Sequence, residues 1–220
     1  MYEFFRWLGL ITGYPLQLLF FKRKTYYEDK KEQGRFVKGG ALVISNHYHV
    51  FDYFVNLFLF PFRKLYVVMS EVNFRRKWFK HIAKIYGGIC SNRDVKGMKF
   101  MDESVELLEK GKLVQIYPEA HITLDGKMHD FKPSYILIAL RSGAPILPVV
   151  IDGNYGLFKR AHVLIGKKIY LSDYCSSPNP SKEEIIALNT MVQNKVHELK
   201  EELDRRVQQD KIGKKRRKGV

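Results

Sequence analysis

The chain has 220 residues, 45% of them hydrophobic, enough for one globular domain with a substantial core and too few for two full ones. Its 38 Lys and Arg against 23 Asp and Glu leave a formal charge of +15, which calls for an anionic partner, either nucleic acid or a negatively charged membrane surface. Two cysteines, Cys90 and Cys175, exclude a disulfide framework and a four-thiolate zinc site and read as free thiols of a reducing compartment, while 14% aromatic residues suit RNA stacking and a membrane interface equally.

Residues 4–21 (FFRWLGLITGYPLQLLFF) are apolar, and the 15 from Trp7 to Phe21 carry no charge. An upright helix needs ~20 residues to cross ~30 Å of hydrocarbon, so this run is about five short. Gly13 and Pro15 predict a break midway. Glu3 near the start, Pro15 inside the apolar run and the lack of a small-residue cleavage site before Lys22, Arg23 and Lys24 argue against a cleaved signal peptide. The preferred reading is a bent, monotopic anchor: two short pieces dip into one leaflet, with the basic triplet at the headgroups of the cytoplasmic face. A single tilted span and a helix buried in the core are the alternatives. Residues 1–38 are accordingly set apart as a membrane-associating segment and residues 39–210 as the main domain. Residues 211–220, of which six are Lys or Arg, form a basic tail expected to be disordered.

After a polar stretch at 26–38, residues 41–45 (ALVIS) read as a strand buried on both faces. A helix is expected over 51–60, a strand over 65–70, and an amphipathic helix over 74–85. That helix carries Phe74, Trp78, Ile82 and Ile85 on one face, with Arg75, Arg76, Lys77, Lys80 and Lys84 around the rest. A strand follows at 87–92, a helix at 97–110 stopped by Gly111, and a strand at 112–118. Next come a helix at 132–142 with Pro133 in its first turn and Gly143 after it, and strands at 145–151 and 162–171. The last helix, 181–209, opens on a capping box of Ser181 and Glu184 and carries one apolar stripe from Ile185 to Val207. Strands alternating with helices predict an α/β fold, a mainly parallel mixed sheet flanked by helices. Ligands in such folds bind beyond the carboxyl ends of the strands, so the loops after 45, 70, 92, 117 and 151 are the places to look.

The first of these loops holds His47 and, five positions on, Asp52 at the entry to a helix. Asp52 folding back onto one ring nitrogen fixes the tautomer and leaves the other nitrogen as a general base. No G-x-S-x-G elbow accompanies the pair and neither cysteine sits at a nucleophile position, which points to a substrate hydroxyl as the nucleophile. The third strand runs into Arg93, and the fourth into Tyr117-Pro118-Glu119.

Together these blocks resemble the glycerolipid acyltransferases, the group containing the 1-acylglycerol-3-phosphate acyltransferases. Asn46-His47-x-x-x-x-Asp52 is similar to the family's N-H-x4-D signature. Gly87-Gly88-Ile89-x-x-x-Arg93 is similar to its second block, Tyr117-Pro118-Glu119 to the start of the third, and Pro145-Ile146-Leu147-Pro148-Val149 to the fourth. The resemblance covers roughly residues 40–155. It implies that His47 deprotonates a lysophospholipid hydroxyl, most simply that of 1-acylglycerol-3-phosphate, which attacks an acyl thioester on acyl carrier protein or coenzyme A. Asp52 would orient His47, Arg93 would pair with the acceptor phosphate, and Glu119 would orient glycerol hydroxyls or a positive group. Asn46, Tyr117, Pro118 and Lys132 would complete the substrate site, with no metal and no cofactor beyond the thioester. Phe51, Phe54, Leu57 and Phe58 are expected along an acyl-chain groove. The chain departs from the family where Gly-Thr-Arg should follow the Glu: it has Ala120-His121-Ile122, so one phosphate-binding Arg is missing. His121, Lys127, His129 and Lys132 are the cations available nearby.

Two other readings compete. His47-x-His49-x-x-Asp52 invites a metal-dependent hydrolase, although the Asp is a residue late and no His follows it. The basic helix at 74–85 and the basic tail invite nucleic-acid binding, although no RNP-type strand, GXXG clamp or zinc finger accompanies them. Anionic lipid accounts for the same charges at about 1 kcal/mol per Lys or Arg. The partners expected are therefore membrane lipid and an acyl thioester rather than nucleic acid.

Overall fold

The structure, a computed structural model, describes residues 2–20, 22–30, 37–91, 99–123, 125–157, 159–175, 177 and 180–218, the last five by backbone alone. A seven-stranded sheet forms the centre. Its strands are β1 (Lys24–Tyr27), β2 (Ala41–Ser45), β3 (Leu65–Ser70), β4 (Gly88–Ser91), β5 (Leu113–Ile116), β6 (Ile146–Ile151) and β7 (His162–Ile165), in the order β1-β7-β6-β2-β5-β3-β4. Every pairing is parallel except β6 with β7, which is antiparallel, as a mainly parallel mixed sheet requires. The helices are α1 (Tyr2–Phe20), α2 (Phe51–Leu59), α3 (Lys77–Tyr86), α4 (Lys99–Glu109), α5 (Ser134–Ser142) and α6 (Lys182–Lys218).

Alternation along the buried strands sorts the core into two layers. Leu42 and Ile44 of β2 face α4, α5 and α6, where Val105, Leu108, Tyr135, Ile138, Val192 and Val196 pack. Ala41 and Val43 face the other way, onto Val55 and Leu59 of α2 and Phe60. Expected stops hold: Gly111 and Gly143 end their helices at φ +71° and +63°. The expected capping box also forms, with the Glu184 N–H donating to Ser181 Oγ (3.1 Å) and the Ser181 N–H to Glu184 Oε2 (2.7 Å).

Several boundaries differ from the sequence reading. Strand β1 runs from the last residue of the basic triplet into the start of the polar stretch; its four residues are all half-buried, so no alternation announces it. Strand β7 stops at Ile165, and the expected continuation survives only as a bridge between Ile146 and Ile169. Residues Glu71–Phe74 form a 3-10 turn, which leaves Phe74, Arg75 and Arg76 outside α3. Helix α6 runs to Lys218, where a disordered tail is expected; Lys, Arg and Gln favour helix, and the turns before them are already docked along the apolar stripe.

The N-terminal segment is one continuous helix with Pro15 inside it, not two bent pieces. It is anchored at both ends. Glu3, held within the helix by Arg6 Nε (2.8 Å), pairs with Lys64 Nζ (3.6 Å) just before β3, and Arg23 donates to Gln17 Oε1 and, at 2.7 Å, to the Phe58 carbonyl. Gly9 permits the close approach to α3, because a Cβ there would fall 1.7 Å from the Tyr86 hydroxyl. No helix among the described residues is long and apolar enough to cross a membrane. The polarity of α1 is inverted for a soluble protein: Arg6 and Gln17 are buried, while Phe4 and Ile11 are each 67% exposed.

Candidate active site

Strand β2 sits between β6 and β5, so the loops at the carboxyl ends of these three parallel strands meet. His47 follows β2, Tyr117 and Glu119 follow β5, and Asp152 to Arg160 follow β6.

Asp52, in the first turn of α2, is fully buried. Its Oδ2 accepts the backbone N–H groups of Tyr48 (2.7 Å) and His49 (2.8 Å), and lies 3.1 Å from His47 Nδ1. A carboxylate removed from water needs such donors, and two backbone N–H groups hold this one in a single orientation. With Nδ1 carrying the proton toward Asp52, Nε2 is the nitrogen left for the cavity that His47 lines. Dyad geometry of this kind suits His47 to take a proton from a hydroxyl.

The main chain of His47 is clamped as well. Its N–H donates to Glu119 Oε1 (3.0 Å), and its carbonyl accepts the Thr123 N–H (2.8 Å). Glu119 Oε2 accepts the Thr123 hydroxyl (2.7 Å) and the His129 N–H (2.9 Å). Glu119 is thus enclosed, both oxygens engaged by the protein itself. Expected to orient glycerol hydroxyls or a positive group, it ties the His47 loop to the segment after β5, because burial commits its oxygens to two backbone N–H groups and the Thr123 hydroxyl. Asn46 behaves similarly. Its Oδ1 accepts the Ile151 N–H (2.8 Å) and its Nδ2 donates to the Ile151 carbonyl (2.9 Å), so it is buried and splices the end of β2 to β6.

Tyr117 stacks on the imidazole, ring centroids 4.0 Å apart at 16°, and its hydroxyl accepts from Asn56 Nδ2 (3.4 Å). Burial, with the charge of Asp52 behind it, pushes the Tyr117 phenol well above its ordinary pKa, so it stays neutral. Pro118 lines the cavity and its carbonyl accepts the Lys132 N–H (2.9 Å); Lys132 and His121 line the cavity too. Ala120 occupies the left-handed region at φ +59°, where the family's Gly rests without cost and an L-residue is strained by about 1–2 kcal/mol. Arg93 lies outside the described residues.

From His47 a cavity of about 850 Å³ runs between α1, α2 and α3. Phe51, Phe54, Leu57 and Phe58 all line it, as expected, joined by Gly13 and Leu16 of α1 and Ile82 of α3. His49, which a metal reading needs beside His47, accepts the Phe51 N–H at Nδ1 (3.2 Å); among the described residues no group of three or more His, Cys, Asp or Glu is placed to hold a metal. Sequence reasoning missed Tyr155, whose hydroxyl donates to Asp52. The signal was the strand-end loop after 151, though nothing within it singled out one residue.

A His–Asp pair at the carboxyl edge of a parallel sheet, opening on an apolar cavity, suits transfer of an acyl group to a hydroxyl. A family model described as Acyltransferase matches residues 22–152. The chain belongs to that family and is an O-acyltransferase. It is 25% identical over 151 residues to the 1-acyl-sn-glycerol-3-phosphate acyltransferase of Bacillus subtilis, covering 66% of this chain and 73% of that protein. The corresponding enzyme of Limnanthes douglasii is 27% identical over 124 residues, 54% of this chain and 43% of the plant protein, so the chain spans under half of that relative. Among solved structures, the 1-acyl-sn-glycerophosphate acyltransferase of Thermotoga maritima shares the fold at a TM-score of 0.57 and 22% identity, over 81% of this chain and 73% of that one.

Proposed function

We propose that the protein acylates a lysophospholipid, foremost 1-acylglycerol-3-phosphate, to give phosphatidic acid. His47 Nε2 removes the proton of the acceptor hydroxyl as its oxygen attacks the thioester carbonyl. The tetrahedral adduct collapses, the thiolate leaves, and the proton on His47 passes to it. An ester and a thiol result, with no covalent enzyme intermediate. The observation that carries this reading is the His47–Asp52 dyad at one end of an apolar cavity of about 850 Å³, room for an acyl chain alongside the base. Relatives bearing the 1-acyl-sn-glycerol-3-phosphate acyltransferase name support the acceptor. With Arg absent after the Glu, Lys132 and His121 at the cavity, together with Arg93, are the groups assigned to its phosphate.

Membrane association is part of the same proposal. Besides the apolar side chains of α1, Val50, Phe51, Phe54, Val72, Trp78 and Ile82 are exposed, and Lys22, Arg75, Arg76, Lys77, Lys80 and Lys84 supply cations. Such a face lies in one leaflet of an anionic bilayer, on the cytoplasmic side where acyl carrier protein or coenzyme A thioesters are at hand. The test is a lysolipid panel in anionic vesicles with labelled acyl thioesters, products read by mass. We expect lysophosphatidic acid to be acylated at least about tenfold faster than lysophosphatidylcholine or monoacylglycerol, a margin of about 1.4 kcal/mol. Acylation of none, or a preference for the phosphate-free acceptor, contradicts the proposal.

A further inference from the structure

Asp52 has a donor beyond the three N–H groups on Oδ2. The phenol O–H of Tyr155, 103 residues away in sequence, donates to Oδ1. Burial, aided by the charge of Asp52, pushes the Tyr155 phenol far above its ordinary pKa, so it is a fixed donor at any pH where a histidine titrates. Its ring is gripped edge-on by Phe51 (6.0 Å, 88°) and lies 5.6 Å from the His49 ring.

The loop that delivers Tyr155 is itself braced. Asp152 Oδ1 accepts the N–H groups of Asn154 (3.1 Å) and His162 (3.0 Å), and its Oδ2 lies 2.6 Å from His162 Nδ1. Asn154 Nδ2 donates to the Arg160 carbonyl (3.2 Å), and the Gly156 N–H to the Phe20 carbonyl at the end of α1 (3.0 Å). A loop this constrained presents the hydroxyl in one place.

We infer that Tyr155 is a positioning residue of the dyad: by donating to Oδ1 it completes the hold that the Tyr48 and His49 N–H groups have on Oδ2 and draws carboxylate charge away from the imidazole, so that the pH profile of the reaction depends on it. A hydrogen bond donated to one oxygen lowers the negative charge available at the other, so its loss makes Asp52 attract a protonated His47 more strongly. The other titratable groups around the dyad are Tyr48 and His49 from its own loop, Tyr53 from α2, Tyr117 and Glu119 after β5, and Asp152 beside Tyr155. His121 and Lys132 share the cavity. None of these changes in Tyr155→Phe.

The inference rests on His47 acting as the base, so the test includes that residue. The full chain, Tyr155→Phe and His47→Ala are assayed for kcat/KM against pH with lysophosphatidic acid in anionic vesicles, and melting temperatures are recorded. Tyr155→Phe is expected to move the acid limb up by about 0.5–1 pH unit, with the high-pH plateau within about threefold of wild type and the acceptor KM unchanged. Incorporation of 3,5-difluorotyrosine at 155, nearly isosteric and a stronger donor, moves the limb the other way. A limb that stays put in both variants overturns the role of Tyr155, as does an equal loss at every pH. Turnover retained in His47→Ala overturns the underlying base assignment instead, whatever Tyr155→Phe does.

Discussion

His47→Ala lowers kcat/KM by roughly 10²–10⁴, the range that a positioned general base supplies, while secondary structure and vesicle binding stay at wild-type levels. The expectation of an intact fold comes from how the residue is held. The clamp on His47 runs through its main chain, to Glu119 and from Thr123, and survives loss of the ring. Asp52 keeps the Tyr48 and His49 N–H groups and the Tyr155 hydroxyl, so its buried carboxylate is not left without donors. What disappears is the stack on Tyr117 and the imidazole that lines the cavity. Activity and melting temperature, measured on the same preparation, check both halves of this statement.

Asp52→Asn has the second large effect, a fall of roughly 10²–10⁴ in kcat with little change in KM for either substrate. The amide keeps the shape. Its oxygen takes the place of Oδ2 beneath the Tyr48, His49 and His47 donors, and its NH₂ meets Tyr155, whose hydroxyl turns to accept. On the proposed mechanism, the negative charge that stabilises a protonated His47 in the transition state is gone, so the loss falls on the chemical step. Alanine at this position removes the acceptor of four donors and is a folding experiment instead. Steady-state kinetics of the Asn variant separate the two: a raised KM at unchanged kcat marks Asp52 as a binding residue.

Much of this was legible in the sequence wherever a local rule acts alone. The buried strands β2, β5 and β6 show as β-branched runs, the Gly stops and the Ser181 capping box are chemistry within four residues, and the five-residue spacing of His47 and Asp52 lets the start of α2 fold back onto the strand end. The rest depends on who the neighbours are. Glu119 reads as a strand-end carboxylate open to substrate, and only the return of the β2 loop, 72 residues earlier, encloses it. Asn46 and Ile151 are joined by the sheet order, which places β6 beside β2. Tyr155 is one aromatic among 13 tyrosines until the loop after β6 folds over α2. Pro15 predicts a broken N-terminal segment, yet one missing backbone donor is outweighed by anchorage at Glu3, Gln17 and the Gly9 contact.

Direct transfer from thioester to lipid hydroxyl, with His47 taking the proton, is tested most sharply by a single-turnover reaction read by intact-protein mass. Protein in excess over labelled acyl thioester, without acceptor, should release no thiol and gain no mass. Adding lysophosphatidic acid should release thiol and phosphatidic acid in equal amounts. An acylated protein formed before acceptor is added, on the exposed Cys90 or elsewhere, contradicts direct transfer and makes the dyad the servant of a protein nucleophile.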